Sequence, residues 1–589
     1  MEFLLANHPL DCPICDQGGE CDLQDQAYQY GRDHSEYHEH KRAVKDKDMG
    51  PFIKTTMTRC IHCTRCVRFI TDVAGSPELG AVGRGEKMEI TPYIEKALTS
   101  ELSGNIIDLC PVGALTSKPY AFKGRSWELK KTETIDVMDA LGSNIRIDSR
   151  GVEIMRILPR LNEEINEEWI SDKARYCYEG LKYQRLDSVY IRKNNKLEKA
   201  SFSEAYFTIA QKLKALQGPE IAALSGNLAA AEEIFALKKL LLELNSENFE
   251  CRLNDEKFDH HDRASYLFNS SVAGIEDADA CLLIGVNPRK DAPVLNARIK
   301  KRSIAKNAPF AIAAIGTNAD LTYKYQNLGD DVLELQKILE GKSDFSKTLE
   351  AAKKPMLIIG ADAISGKDGA AILNLCKKIA EKFNFVQDGW NGFNFLAKST
   401  GLINGLELGF TCEGGIDSIL NNDAIKLTFL LGVDDAIDFS ALKNSFVVYI
   451  GSHGDQGAAM ADIVLPAAAY SEKNACYINC EGRAQRSTRA VFAPDGAKED
   501  AQIIIELAAS SGINLGFHNF DELAKVVASK NDTVQNINHV TKAKWVASND
   551  KKVSDLTTKI VAKDFDFYQT NAVARASRSL AKCSTIKNG

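Results

Sequence analysis

Apolar positions follow two regimes along this chain. From about residue 200 onward, short continuous apolar runs recur with Gly or Pro beside them: Glu220–Leu224, Cys281–Gly285, Phe310–Ala314, Met356–Gly360, Leu427–Gly432 and Phe446–Gly451. Unbroken runs of strand length suit parallel strands whose two faces are both covered by helices. Loops such as Ser225-Gly-Asn227 and Asn287-Pro288 follow, then helix-length stretches such as Ala229–Leu244. The alternation predicts an α/β body, doubly wound, over residues 191–545, with loops at the strand C-terminal ends open to a ligand.

Upstream the period shortens to two. Thr134-Ile-Asp-Val137 and Asn144-Ile-Arg-Ile147 alternate apolar with polar, and Ser149-Arg-Gly151 turns the chain toward Ile154. This predicts a small β domain over 129–190. Residues 1–128 are rich in Cys, His and charge, with little long-range period, and divide into segments 1–49 and 50–128. Residues 546–589 are polar around one aromatic cluster, Phe565-Asp-Phe-Tyr568, and read as a C-terminal docking tail.

Composition narrows the classes. With 589 residues, 44% hydrophobic, the chain has ample material for large cores, which excludes wholesale disorder. Its 80 acidic against 73 basic residues give a net charge of −7, so no nucleic-acid footprint is expected. No apolar run approaches the ~18 residues that cross a bilayer, so no direct membrane insertion is expected and membrane contact would go through partners. The opening Met-Glu-Phe-Leu-Leu lacks a basic leader, and no signal or transit peptide is read.

Cysteine supplies the chemistry. Fifteen cysteines are present, an odd count that argues against a secreted disulfide framework, and seven lie within the first 110 residues. The other eight are scattered, mostly in or beside apolar segments, where cysteine is a small core residue. Cys60-x2-Cys63-x2-Cys66, closed by Cys110-Pro111, has ferredoxin-like spacing. Three thiolates in a tight turn can grip three corners of a cubane, and Cys110 supplies the fourth. Structural zinc favours paired Cys-x2-Cys units instead. The set His8-x3-Cys12-x2-Cys15-x5-Cys21 is open to two readings, a second cluster or a tetrahedral zinc site. Its closeness to Cys60 and the Gly18-Gly19 pair, which lets backbone wrap a bulky ligand, favour the cluster.

Other candidates have plainer readings. His34, His38 and His40 sit in a polar connector, and His62 between ligand cysteines suits packing or hydrogen bonding to sulfur. His260-His261 and His453 lack spaced companions. Gly451-Ser-His-Gly-Asp-Gln-Gly457 could cradle a phosphate but reads first as tight turns, with no dinucleotide or P-loop fingerprint in the chain.

The stretch Glu2–Asp25, with Arg59–Phe69 and Asn105–Leu115, resembles the cluster segments of the large iron–sulfur subunit of respiratory complex I. Ala461–Pro466, Glu472 and Tyr477–Arg483 resemble the molybdopterin-oxidoreductase fold of that subunit's body. The resemblance implies two [4Fe–4S] clusters, one on His8, Cys12, Cys15 and Cys21 and one on Cys60, Cys63, Cys66 and Cys110. It implies electron relay from an FMN-bearing subunit toward quinone, next to a ferredoxin-like subunit, in a peripheral arm. That arm would lie on the cytoplasmic face of a bacterial inner membrane or the matrix side of the mitochondrial one. The chain itself would bind neither NADH nor quinone. Family members also carry a [2Fe–2S] ferredoxin-like domain, expected to be absent from this chain. Residues 129–190 hold only Cys177, so no further cluster is expected there, and the body lacks an evident molybdenum ligand, so no molybdopterin is expected. Two rivals stand: an electron-transfer subunit of a soluble NAD-linked hydrogenase or formate dehydrogenase, and a zinc-stabilised scaffold.

Overall fold

A computed structural model describes residues 1–306, 309–549, 556 and 559–588. Each apolar run named above forms a strand, shifted by one residue at most. Together these strands make two sheets rather than one. The larger has seven strands in the order Phe249–Glu250, Ile221–Ser225, Leu427–Leu431, Phe446–Gly451, Ile463–Pro466, Val189–Lys193, Lys196–Ala200. Its first five are parallel, and Val189–Lys193 pairs antiparallel to Ile463–Pro466 before turning into its own hairpin. The smaller sheet is all parallel, in the order Gln326–Asn327, Ala311–Ile315, Ala280–Ile284, Pro355–Gly360, Phe393–Leu396. It is built entirely from chain inserted between Glu250 and Leu427.

Burial explains the unbroken apolar runs. Ala280–Ile284 and Leu427–Leu431 are buried at every position because helices lie on both faces. Full burial of one Leu or Ile contributes about 1.5–3 kcal/mol, so these central strands dominate the stability of the body. Helices such as Ala231–Glu243 and Pro293–Ser303 supply the crossovers that parallel strands require. The helix Phe202–Lys214 starts on a capping box, in which Ser201 Oγ accepts from the Glu204 amide and Glu204 Oε2 accepts from the Ser201 amide.

The small β domain is an antiparallel sheet of Lys130–Ile135, Asn144–Arg150 and Glu153–Pro159, with a bulge at Asp148/Ser149. Arg156 projects from its last strand, donating to Asp148 Oδ2 at 2.9 Å and to both Glu20 oxygens at 2.6 and 2.8 Å. That double grip anchors the N-terminal segment to the sheet. Among the described residues no helix is long and apolar enough to cross a membrane.

The C-terminal segment packs on its own chain, although part of the 546–589 span lies outside the described residues. Ala562 N donates to Gly316 O at 2.8 Å, and Lys563 N donates to Asp362 Oδ2 at 3.0 Å. Lys290 Nζ donates to Phe565 O at 3.0 Å, and Arg575 Nη1 to Asp435 Oδ2 at 2.9 Å. Gly316, Asp362, Lys290 and Asp435 each lie just beyond the C-terminal end of a parallel strand, namely Ala311–Ile315, Pro355–Gly360, Ala280–Ile284 and Leu427–Leu431 respectively. The segment therefore crosses the strand-end crevice of both sheets, where open α/β folds hold ligands. Of its aromatic cluster, Phe567 and Tyr568 are buried: Tyr568 tilts against Phe52 at 6.2 Å between ring centroids, and Phe52 stacks on Tyr176 at 4.0 Å.

Candidate iron–sulfur sites

Cys60, Cys63, Cys66 and Cys110 line one small apolar pocket, walled by Ile90, Val112 and Leu115. The loop that carries the first three is tightly wound. His62 (φ 56°) and Thr64 (φ 59°) are both left-handed although neither is glycine, a conformation costing about 1–2 kcal/mol per residue. That cost persists where surrounding structure enforces it, as at ligand sites. Backbone amides meet the sulfurs: His62 N–H donates to Cys60 Sγ at 3.5 Å, the Val67 amide faces Cys66, and the Val112 and Leu115 amides face Cys110.

Burial, with the charges of the other three cysteines added, pushes the Cys66 thiol up to about 12. Burial likewise pushes Cys110 up to about 11. Four thiolates cannot coexist in so dry a space by themselves, because each ionisation raises the cost of the next. A cationic iron core would remove that cost, so the donor set fits a metal centre better than it fits free thiols.

At the first motif, Cys15 and Cys21 are buried, His8 is half-buried and Cys12 exposed. Cys12 and Cys15 lie close enough for their charges to act on the Cys21 thiol, whose main perturbation is burial. Cys21 also caps the helix Asp22–Tyr30, so the Leu23 and Gln24 amides point at its sulfur. Gly113 lies against Cys15 so closely that a Cβ would sit 2.1 Å from Cys15 Sγ. Gly19, at φ 87°, faces the Trp127 ring at a distance no side chain would allow. Arg125 Nη1 donates to the Cys15 carbonyl at 2.5 Å, holding the loop from outside.

His8 Nδ1 is buried with no hydrogen-bond partner. Burial lowers its pKa, as do the charges of Arg59 and Lys41, so the ring is held neutral. A neutral imidazole with an unpartnered buried nitrogen is free to offer that nitrogen to a metal. The residues present fit a His/Cys3 centre.

The remaining sequence candidates resolve in various ways. His34, His38 and His40 are exposed, and His34 Nδ1 meets Asp33 Oδ1 at 2.7 Å. His453 is buried against Gly180 O at 3.1 Å, and burial with the Arg185 charge lowers its pKa to about 4. The glycine loop around it is spent on the fold, since Gly454 N donates to Gln184 O at 2.8 Å. Asp259, which sequence spacing does not mark, joins His260 and His261 at the surface with ligand atoms within 4.8 Å of one another. His260 Nδ1 is however engaged by Thr411 Oγ1 at 2.9 Å. Arg59 opens the Arg59–Phe69 motif just before Cys60, but its reach to the first motif is shown only by its long-range contacts to Asp11 and Gly113.

Family models divide the chain in register with these features. Residues 1–36 match an NADH-ubiquinone oxidoreductase-G iron-sulfur binding region, and 50–116 the ferredoxin-like domain of NADH-quinone oxidoreductase subunit 3. Residues 129–179 match an NADH-ubiquinone oxidoreductase NDSU1/NuoG-like 4Fe-4S domain, and 185–510 a molybdopterin oxidoreductase. Residues 535–583 match the C-terminal region of the NADH-ubiquinone oxidoreductase G subunit. Iron–sulfur modules carried on a molybdopterin-oxidoreductase body define an iron–sulfur oxidoreductase subunit. The NADH-quinone oxidoreductase G subunit of Rickettsia felis is 50% identical over this whole chain and 86% of its own length. The NADH-ubiquinone oxidoreductase 75 kDa subunit of Reclinomonas americana is 47% identical over the whole chain and 87% of its own. The mitochondrial 78 kDa subunit of Neurospora crassa is 46% identical, with 80% of its length covered. The chain belongs to the family of NADH-quinone oxidoreductase G subunits, the 75 kDa subunits of mitochondria.

Proposed function

We propose that this chain is the iron–sulfur electron-transfer subunit of a proton-translocating NADH:quinone oxidoreductase, with His8, Cys12, Cys15 and Cys21 holding one [4Fe–4S] cluster and Cys60, Cys63, Cys66 and Cys110 another. The observation that carries the reading is the apolar pocket shared by Cys60, Cys63, Cys66 and Cys110. Bound there, each cluster supplies a one-electron carrier that passes charge without making or breaking a bond. The protein's part is positional. The apolar wall of Ile90, Val112 and Leu115 excludes water, and the amides at Cys60, Cys66 and Cys110 stabilise negative charge on sulfur.

The chain would receive electrons from the FMN-bearing subunit and deliver them toward the ferredoxin-like subunit, binding neither NADH nor quinone. It would sit in the peripheral arm, on the cytoplasmic or matrix side. Cys177 is the only cysteine of the small β domain, and its thiol is buried beside the Tyr470 hydroxyl at 3.3 Å, so that domain would hold no cluster. The body would carry no molybdopterin; what supports this part of the reading is that the C-terminal segment crosses the strand-end crevice and engages Lys290, Asp362 and Asp435 there.

Iron, zinc and acid-labile sulfide analysis, with low-temperature EPR after dithionite reduction, tests this. Two cubane signals with matching iron and sulfide are expected. Zinc without sulfide would overturn the reading, and stoichiometric molybdenum or pterin would overturn its last part.

A further inference from the structure

One buried cation stands between the two candidate sites. Arg59 is only 5% exposed and directly precedes Cys60, yet its guanidinium reaches the other motif. Nε and Nη2 both lie 3.0 Å from Asp11 Oδ2, and Asp11 directly precedes Cys12. Nη1 donates to the Gly113 carbonyl at 3.3 Å, and Gly113 is the residue pressed against Cys15 Sγ. The same charge acts on the His8 ring. One guanidinium thus ties the ligand loops of both motifs while lying on the side of the first.

The ion pair it forms is lopsided. The Arg59 side chain is 6% exposed, whereas that of Asp11 is 31% exposed. Water screens the carboxylate, but little water reaches the guanidinium, so the field left inside is positive. Other charges also face this wall: Lys41, exposed, donates to the His8 carbonyl at 2.7 Å, the buried Asp16 carboxylate beside Cys15 is balanced by Lys54 at 3.5 Å, Arg125 binds carbonyls from the solvent side, and Arg42 lies over His62 at the second site.

Resting on the cluster reading above, we propose that Arg59 is a positioning residue that sets the potential difference between the two centres, raising the His8/Cys12/Cys15/Cys21 centre more than the Cys60/Cys63/Cys66/Cys110 centre. Reduction adds one electron, and so one negative charge, to a centre. A fixed cation beside it stabilises the reduced form, and a screened anion opposes this weakly.

The test is a redox titration followed by EPR on the purified oxidoreductase complex carrying Arg59→Gln, Asp11→Asn, both together, or Arg59→Lys. Iron and sulfide are measured on each. Arg59→Gln is expected to lower the midpoint of the first centre by about 59 mV or more, a tenfold change in its oxidised-to-reduced ratio at fixed potential, and to move the second centre less. Asp11→Asn is expected to raise the first midpoint, the double substitution to return it toward the parent value, and Arg59→Lys to hold it. Opposite signs are what charge demands, whereas a merely structural strut would shift both single variants the same way. Equal shifts at both centres, same-sign shifts, or no shift at full iron content would overturn the proposal. If Arg59→Gln loses iron, Asp11→Asn still decides it, because no rise there sinks the idea. Absence of both cubane signals in the parent complex would instead overturn the cluster reading, and this proposal with it.

Discussion

The Cys21 thiol points at the Pro111 carbonyl oxygen, 3.6 Å away. The last cysteine of the first motif therefore touches the residue that follows the last cysteine of the second. Eighty-nine residues of chain separate them, and the fold brings them into contact. With the Arg59 contacts to Asp11 and Gly113, the peptide Cys110–Gly113 becomes a shared wall of both sites. With the two proposed clusters bound, this wall would be the protein that lies between them.

Gly113 is the tightest point of that wall. Gly113→Ala would drive a methyl group to 2.1 Å from Cys15 Sγ, with Gln17 Cβ and Arg59 Nη1 close beside it. We expect the first centre to be lost while the second persists. Iron content should fall by half, and EPR should retain one cubane signal. Full iron content would refute the packing argument.

Cys177 separates packing from ligation. Its thiol is buried and paired with Tyr470. Cys177→Ala should leave iron and sulfide unchanged and cost about 1 kcal/mol of stability through the lost contact. A drop in iron would mean that the small β domain holds metal.

Asp434 makes stability depend on pH. Burial, reinforced by Asp455 and Asp435 and opposed by the Tyr449 hydrogen bond and Arg575, raises its pKa from 3.8 to about 7. The native carboxyl keeps its proton where the unfolded one has lost it. The folded state therefore binds more protons between pH 4 and 7, and stability falls as pH rises through that window. Asp434→Asn keeps an acceptor for the Tyr449 hydroxyl, which donates to Asp434 Oδ2 at 2.6 Å, and removes the ionisation. The melting temperature of the variant should rise relative to the parent at pH 8 and match it near pH 4. A difference independent of pH would count against this account.

The C-terminal segment should open as a unit. Arg575 binds Asp435 and Asp455, so Arg575→Ala leaves two carboxylates unpaired. These groups are partly exposed, and the cost should be about 1–3 kcal/mol. Hydrogen–deuterium exchange over residues 559–576 should quicken before that of the central strands. Uniform exchange across the chain would show that the segment is not a separate clamp.

Local chemistry carried much of this in advance. The strands Leu427–Leu431 and Ala280–Ile284 were legible because a strand buried on both faces must be apolar at every position. The cysteine spacing was legible because a loop of a few residues fixes how its thiols can converge. Tertiary structure alone decided the rest. That the body splits into two sheets depends on which strands pair across the insertion between Glu250 and Leu427, and an apolar run does not name its neighbour. The polar C-terminal segment docks on its own chain because its partners, Lys290, Asp362 and Asp435, come together only at the strand ends of two different sheets. The sequence marks Arg59 only by its place before Cys60. Its burial between Asp11 and Gly113 is a long-range contact, and the physical reason it matters, a charge kept from water, exists only in the folded chain.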